Sequence, residues 1–333
     1  MKPINLALLS LFVFALFYYG KFILLPLFLS LFVYVIIKSL TKKFVKIANQ
    51  YLRFNLNEVL SFFIFLLISS FFFYFIWKIL KFNLFQVIDK SEFYQNNLNF
   101  IINYFANSPI NEILEISDVF NSVNFVSIFS NVLNSLTGLA GNFSLVLIYL
   151  IFLIVEDKHF ATKLNKISKN KNTMKIVTKI NNDIFNYFRL KTFTSLLTAV
   201  LTFLILQIVG SDLSIVFAII AFFLNFIPFI GSLLSILFPF IFSCIQFLNI
   251  FDPLITLSLL IMIQIFIGNF LEPKLMGKAL NISPIVMLIF LSIMGKLWGI
   301  SGMFLSVPML VVLLIVLSSF KNTRDLALLI SEK

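Results

Sequence analysis

In this 333-residue chain 60% of residues are hydrophobic and 12% charged, 45 are phenylalanine and the mean hydropathy is +1.05. Soluble domains carry about 25% charged residues, so too little polar surface is available to coat a water-soluble particle of this size. The net charge of +11, from 25 Lys and Arg against 14 Asp and Glu, is distributed between apolar runs, a pattern that reports orientation in a membrane and not a nucleic-acid partner.

A backbone in lipid satisfies its hydrogen bonds as helix or closed barrel. The apolar runs are long and continuous, unlike the roughly ten-residue alternating segments of barrel strands, so they read as helices. From Ile4 to Ile37 the only charge is Lys21. One helix of that length would run about 50 Å, beyond the roughly 30 Å hydrocarbon core, so the chain must fold back near Gly20 and give two spans. No small-x-small cleavage pattern follows the first run, which therefore reads as a retained span and not a signal peptide. Lys38, Lys42, Lys43, Lys46 and Arg53 face only Glu58, which places residues 38–58 on the cytoplasmic side, with the N-terminus beside them. A third span, Val59 to Trp77, completes the block 1–77.

Residues 78–142 change character, with frequent Asn and Ser and an excess of acids, as befits an extracytoplasmic segment. Within it Val119, Phe120, Val123, Val126, Val132, Leu133 and Leu136 recur at helical spacing. That stripe predicts an amphipathic stretch lying on the membrane or on a neighbouring subunit of a homo-oligomer. The block 143–333 opens with a fourth span ending at Val155, followed by the basic segment 156–191, with Lys158, Lys163, Lys166, Lys169, Lys171, Lys175, Lys179, Arg189 and Lys191, read as a cytoplasmic loop. Ile176, Ile180, Ile184, Tyr187 and Phe188 put an apolar stripe on a helix there. Further apolar runs cover Phe193–Val209, Leu213–Ile227, Ser232–Gln246, Leu254–Leu271 and Pro284–Leu317. The last is interrupted at Gly295–Gly299, and the 12 residues from Ser283 to Met294 suit a re-entrant or broken helix better than a crossing. The expected architecture is an all-α polytopic membrane protein of about eight transmembrane helices, with broken or re-entrant helices in its C-terminal half and a cytoplasmic C-terminus.

Enzyme chemistry finds no footing. The chain has one His and one Cys and contains no H-E-x-x-H, no G-x-S-x-G and no phosphate-binding glycine loop. His159 has no second metal-ligand candidate nearby, and Cys244 reads as an apolar filler. Neither catalytic residues, nor a metal site, nor a cofactor is expected, and any concentrative transport must draw on an ion gradient or a partner subunit.

The polar and helix-breaking residues inside the apolar runs are the candidates for function. Pro228, Pro273 and Pro284 each lack a backbone donor, and a broken helix at membrane depth is tolerated only where the freed groups are buried in protein or face a cavity, as at transporter sites. Gly231, Gly277 and Gly299 permit close approach or a positive φ at the same breaks. Asn225, Gln264 and Asn269 are polar side chains in apolar surroundings, either helix-to-helix glue or ligand contacts. Glu272 is either a structural carboxylate paired with Lys274 or held at a helix end, or a protonatable, cation-binding group. Lys296 reads as a base snorkelling at a re-entrant tip, and Trp298 as part of an interfacial belt.

Three of these segments resemble a known family. Asn225-Phe226-Ile227-Pro228-Phe229-Ile230-Gly231 resembles the N-x-I-P-[YF]-I-G turn of the AI-2E (autoinducer-2 exporter-like) permeases. Asn269-Phe270-Leu271-Glu272-Pro273-Lys274-Leu275-Met276-Gly277-Lys278 is similar to their G-N-x-L-E-P-K-[IL]-M-G-[KR] signature, and Pro284 through Gly295-Lys296-Leu297-Trp298-Gly299-Ile300-Ser301-Gly302-Met303 to Val307-Pro308 to their C-terminal ending. The chain departs from the pattern after Tyr187-Phe188-Arg189, where the family often has Gly-Gln and this sequence reads Leu190-Lys191-Thr192. The resemblance implies a multi-pass inner-membrane transporter of about eight helices that exports a small signalling molecule or solute, or exchanges monovalent cations for protons. A non-transporting membrane scaffold is the alternative from a different class.

Overall fold

The computed structural model describes residues 11–12, 14–52, 57–106, 144–157, 171–276, 282–320 and 323–332. These are helical almost throughout, with no strand among the described residues. Among the described residues six helices are long and apolar enough to cross a membrane: Lys21–Gln50, Glu58–Asp89, Met174–Val209, Ile230–Phe247, Phe251–Leu275 and Pro284–Ser319. Helical residues 144–157, coinciding with the predicted fourth span, and the short Ser214–Leu224 helix complete the apolar set. The predicted amphipathic stripe between Val119 and Leu136 lies outside the described residues.

The chain divides into two compact units. The first comprises residues 1–70, 140–190 and 276–333. Here the chain bends sharply at Gly20, as the length of the N-terminal run predicts. The rings of Phe17 and Phe28 lie 5.9 Å apart, whereas eleven residues of unbroken helix would separate their Cα atoms by about 16 Å. Trp298 fills the inside of the bend: it stacks on Phe17 at 5.3 Å, lies 5.6 Å from Phe28, and its Nε1 donates to the Phe17 carbonyl at 2.9 Å. This buried position corrects the interfacial reading of Trp298, because the indole N–H finds a carbonyl left free by the bend. The stripe of the basic segment, expected to lie along the inner membrane interface, packs inside the protein instead: Phe188 meets Phe32, and Lys43 lies over the ring of Phe185 at 4.6 Å. Lys38 donates to Asp157 in the same unit. Burial pushes the Asp157 carboxyl up, but the Lys38 ammonium and the charge of Lys42 outweigh it and hold the group below the ordinary carboxylate range.

The Pro284–Ser319 helix is two arms and not one rod. Gly299 adopts φ 66° and ψ −147°, a region open essentially only to glycine, and the chain folds back there. The arms then meet so tightly that a Cβ on Gly302 would lie 2.1 Å from the Met294 carbonyl oxygen. The interruption expected at Gly295–Gly299 is therefore a helical hairpin.

The second unit comprises residues 71–139 and 191–275. Its core gathers Leu84 and Val87, Tyr94 and Leu98, Leu206, and Phe217 and Phe242 from five helices. Two expectations change here. The third helix does not end at Trp77 but continues to Asp89, because Leu80, Leu84 and Val87 repeat on one face and bury into this core. Leu213–Ile227 yields only the 11-residue Ser214–Leu224 helix, about 16 Å long and short of a crossing. In this unit Asp212 accepts from Tyr94 at 2.5 Å and from Lys90 at 2.9 Å, and Asn97 donates to the Ile245 carbonyl at 2.9 Å. Burial and the Asp212 carboxylate push the Tyr94 hydroxyl well above its ordinary value.

Candidate functional site

The Lys171–Val209 helix carries Lys191, Thr194, Ser195, Thr198 and Thr202 at positions 0, 3, 4, 7 and 11, the spacing of one helical face, and all five are buried. Thr194 and Thr198 donate back to the carbonyls of Lys191 and Thr194, at 3.1 and 3.0 Å, which satisfies hydroxyls that apolar surroundings would otherwise penalise. Lys191 and Ser195 reach outward to the two signature segments of the same unit.

Ser195 accepts from Asn225 Nδ2 at 3.1 Å, with both groups buried. Asn225 ends the Ser214–Leu224 helix, where Pro228 prevents its continuation. The turn that follows is strained. Phe229 takes φ 61° and ψ −59°, and the Ile230 N–H donates to the Pro228 carbonyl at 2.6 Å, a positive-φ γ-turn that is rare in proteins. Gly231 restarts the helix against the Leu224 carbonyl oxygen, only 1.7 Å from where a Cβ would stand. Asn225, Gly231 and the half-buried Pro228 thus form one tight break anchored on Ser195.

Lys191 donates from Nζ to Glu272 Oε1 at 2.5 Å. The side chains are 7% and 20% exposed, so this is a largely desolvated ion pair between residues 81 positions apart. Glu272 is brought there by a change of helical register. After Gln264 the chain winds as a π-helix over Ile265–Leu271, and the Glu272 N–H donates to the Ile267 carbonyl, five residues back. Pro273 then removes the next donor. Gln264 donates from Nε2 to Ser235 Oγ at 3.1 Å, while its Oε1 is buried without a hydrogen-bond partner among the described residues.

Of the candidates drawn from the sequence, Asn225, Gly231, Gln264 and Glu272 are held by specific contacts within this unit. Asn269, Pro273 and Lys274 are exposed, and Glu272 pairs with Lys191 and not with Lys274. Pro284, at the first turn of its arm, Lys296 and Gly299 are exposed and belong to the other unit. Gly277 lies outside the described residues. Sequence reasoning missed Lys191, which it counted as a loop base, together with Ser195. The polar stripe from Lys191 to Thr202 in an apolar stretch was the signal that could have found both.

A family model described as AI-2E family transporter matches residues 6–322. The chain is 40% identical over 182 residues to a Borreliella burgdorferi protein assigned to transport by its name alone, covering 53% of this chain and 50% of that protein. It is 31% identical over 188 residues to Escherichia coli YhhT, whose name makes the same assignment, with 56% and 53% coverage. It is 29% identical over 189 residues to the AI-2 transport protein TqsA of Escherichia coli, with 56% and 55% coverage. The chain spans about half the length of the curated relatives it matches.

Proposed function

The chain belongs to the AI-2E family of transporters, and from that premise we propose that it moves a small solute across the bacterial inner membrane through the polar cluster of its second unit. A small signalling molecule, of the kind that the name of TqsA states for that protein, is the substrate class this reading favours. The observation that carries it is the buried Lys191–Glu272 pair beside the buried Asn225–Ser195 contact, in helices otherwise suited to lipid. Ionisable groups at membrane depth are expensive and mark solute or ion pathways. Both contacts lie at helix breaks, where backbone groups freed from the ladder face a ligand or buried protein.

A second reading, exchange of monovalent cations for protons, is favoured by the Glu272 carboxylate at the end of a π-helix. The basic clusters at 38–58 and 156–191, the latter ending at the buried Lys191, support cytoplasmic placement of these segments and of both termini, with residues 78–142 outside.

Counterflow in proteoliposomes made from the purified chain, run against Na⁺, Li⁺, protons and sugar-like diols, tests the reading. Wild type is expected to exchange at least one of these, and Asn225→Ala and Glu272→Gln to slow that exchange at least tenfold at equal incorporation. If both variants match wild type, the polar cluster is not the pathway; if no solute exchanges at all, the scaffold reading gains.

A further inference from the structure

We propose that the Lys191 ammonium is a tethered counter-ion which fills the place of an inorganic cation at Glu272, so that this protein works without bound Na⁺ or Li⁺. The part played in coupling rests on the small-solute reading and runs against cation exchange at Glu272, whereas the ion-binding statement stands on geometry and is tested without transport.

A carboxylate buried among apolar helices requires a positive partner, which can be a proton, a small cation or a side-chain base. Here the partner is covalently part of the chain. Lys191 Nζ lies 2.5 Å from Glu272 Oε1, and the lysine side chain is only 7% exposed. The contact joins residues 81 apart, so it is a product of the tertiary fold and not of helical neighbourhood. Lys274, two residues from the carboxylate, stays exposed.

The surroundings are as unfavourable to a free cation as they are suited to the ammonium. A monovalent cation on the same carboxylate would sit about 4 Å from Nζ, and at a protein-like dielectric that repulsion disfavours its binding by roughly three orders of magnitude. The hydroxyls on the same helical face already have partners within the protein. The Thr194 and Thr198 hydroxyls point to helix carbonyls, and Ser195 Oγ is held by Asn225. Removing the ammonium opens the carboxylate to Na⁺ or Li⁺, so the identity of residue 191 decides whether the carrier responds to these ions.

The test uses the full chain in detergent at pH 8, with thermal unfolding followed in 200 mM NaCl, LiCl or choline chloride at matched ionic strength. Wild type and Lys191→Arg, which retains a tethered charge, are expected to melt at the same temperature in all three salts. Lys191→Gln is expected to melt about 5 °C higher in NaCl or LiCl than in choline chloride, or to be recovered folded only in the former. The gain should vanish in Lys191→Gln combined with Glu272→Gln. Binding of ²²Na⁺ to the same samples should follow the same order. Saturable Na⁺ or Li⁺ binding by wild type overturns the proposal, as does a Lys191→Gln chain that neither ion stabilises nor rescues. Either result is obtained whether or not the protein transports anything.

Discussion

Replacing Gly231 with alanine adds one methyl group at the tightest point of the signature turn. The added Cβ would stand 1.7 Å from the Leu224 carbonyl oxygen and 2.6 Å from its carbon, whereas Cβ atoms are not found within 3.0 Å of such neighbours. The obstacle is backbone, so no rotamer change relieves it and the turn must open by more than an ångström. That displacement strikes two hydrogen bonds. The Ile227 N–H donates to the Leu224 carbonyl at 2.8 Å, and the adjoining Asn225 side chain holds Ser195 at 3.1 Å in a buried setting. Overpacking costs about 1–3 kcal/mol and an orphaned buried polar group about 1–3 kcal/mol, so a loss of about 3–5 kcal/mol is expected. Since 1 kcal/mol moves the midpoint by about 2–4 °C in a chain of 150–250 residues, the purified variant should melt roughly 10 °C lower. Gly268→Ala is the control, because nothing lies within 4 Å of its added Cβ; it should melt at or slightly above wild type. A Gly231→Ala protein within 2 °C of wild type would refute the argument that this turn is sterically closed.

Four further outcomes are expected. In a double-mutant cycle, Lys191→Met and Glu272→Gln should each destabilise by about 3 kcal/mol by stranding one charge, while the double variant loses less than either; purely additive midpoints would show that the pair is not energetically coupled. Because the Asp157 carboxyl is held below its unfolded value of about 3.9, the stability it contributes is complete above that pH and is lost as the pH falls through the folded value. Melting temperature measured from pH 6 to pH 3 should therefore drop at the acid end, and less so for Asp157→Asn; equal acid limbs would exclude this contribution. Trp298→Phe keeps the stacking on Phe17 but loses the indole donor, and should lower stability by about 1 kcal/mol in chemical denaturation, whereas no change would mean water serves the Phe17 carbonyl equally well. In a Cys244→Ser background, Asn170→Cys should be labelled by membrane-impermeant maleimide only after the cells are opened and Asn107→Cys in intact cells; the reverse pattern inverts the topology.

The breaks in the helices were legible because they depend on local chemistry. Pro228 and Gly299 each supply a backbone property that no neighbour can cancel, and the chain turns at both, whereas the turn at Gly20 followed from the length of the apolar run. The partner of Glu272 was not legible. Spacing offered Lys274, two residues away, but the pair is made with Lys191, whose burial follows from a helix packing that no local pattern encodes. The same limit explains Trp298, whose hydrogen-bond acceptor is 281 residues distant. The Leu213–Ile227 run was overread because apolar composition reports burial equally well for a short core helix and for a crossing.

The π-helical stretch Ile265–Leu271 makes chain length itself a determinant of chemistry. Each residue in an α-helix advances the next by about 100°, and the five-back bonding of this stretch takes up one residue more than α-helix would, so an α-helix of the same length would swing Glu272 away from Lys191 by about that angle, whereas loss of one residue, even the side-chain-free Gly268, would let the segment close as α-helix with Glu272 near its place. One residue gained there would leave both charged residues unaltered and break their pairing. Descent with insertions and deletions can therefore switch this carboxylate on or off without substituting it, and a homologue is rightly compared with this protein by the number of residues between Gln264 and Glu272 before it is compared by their identity.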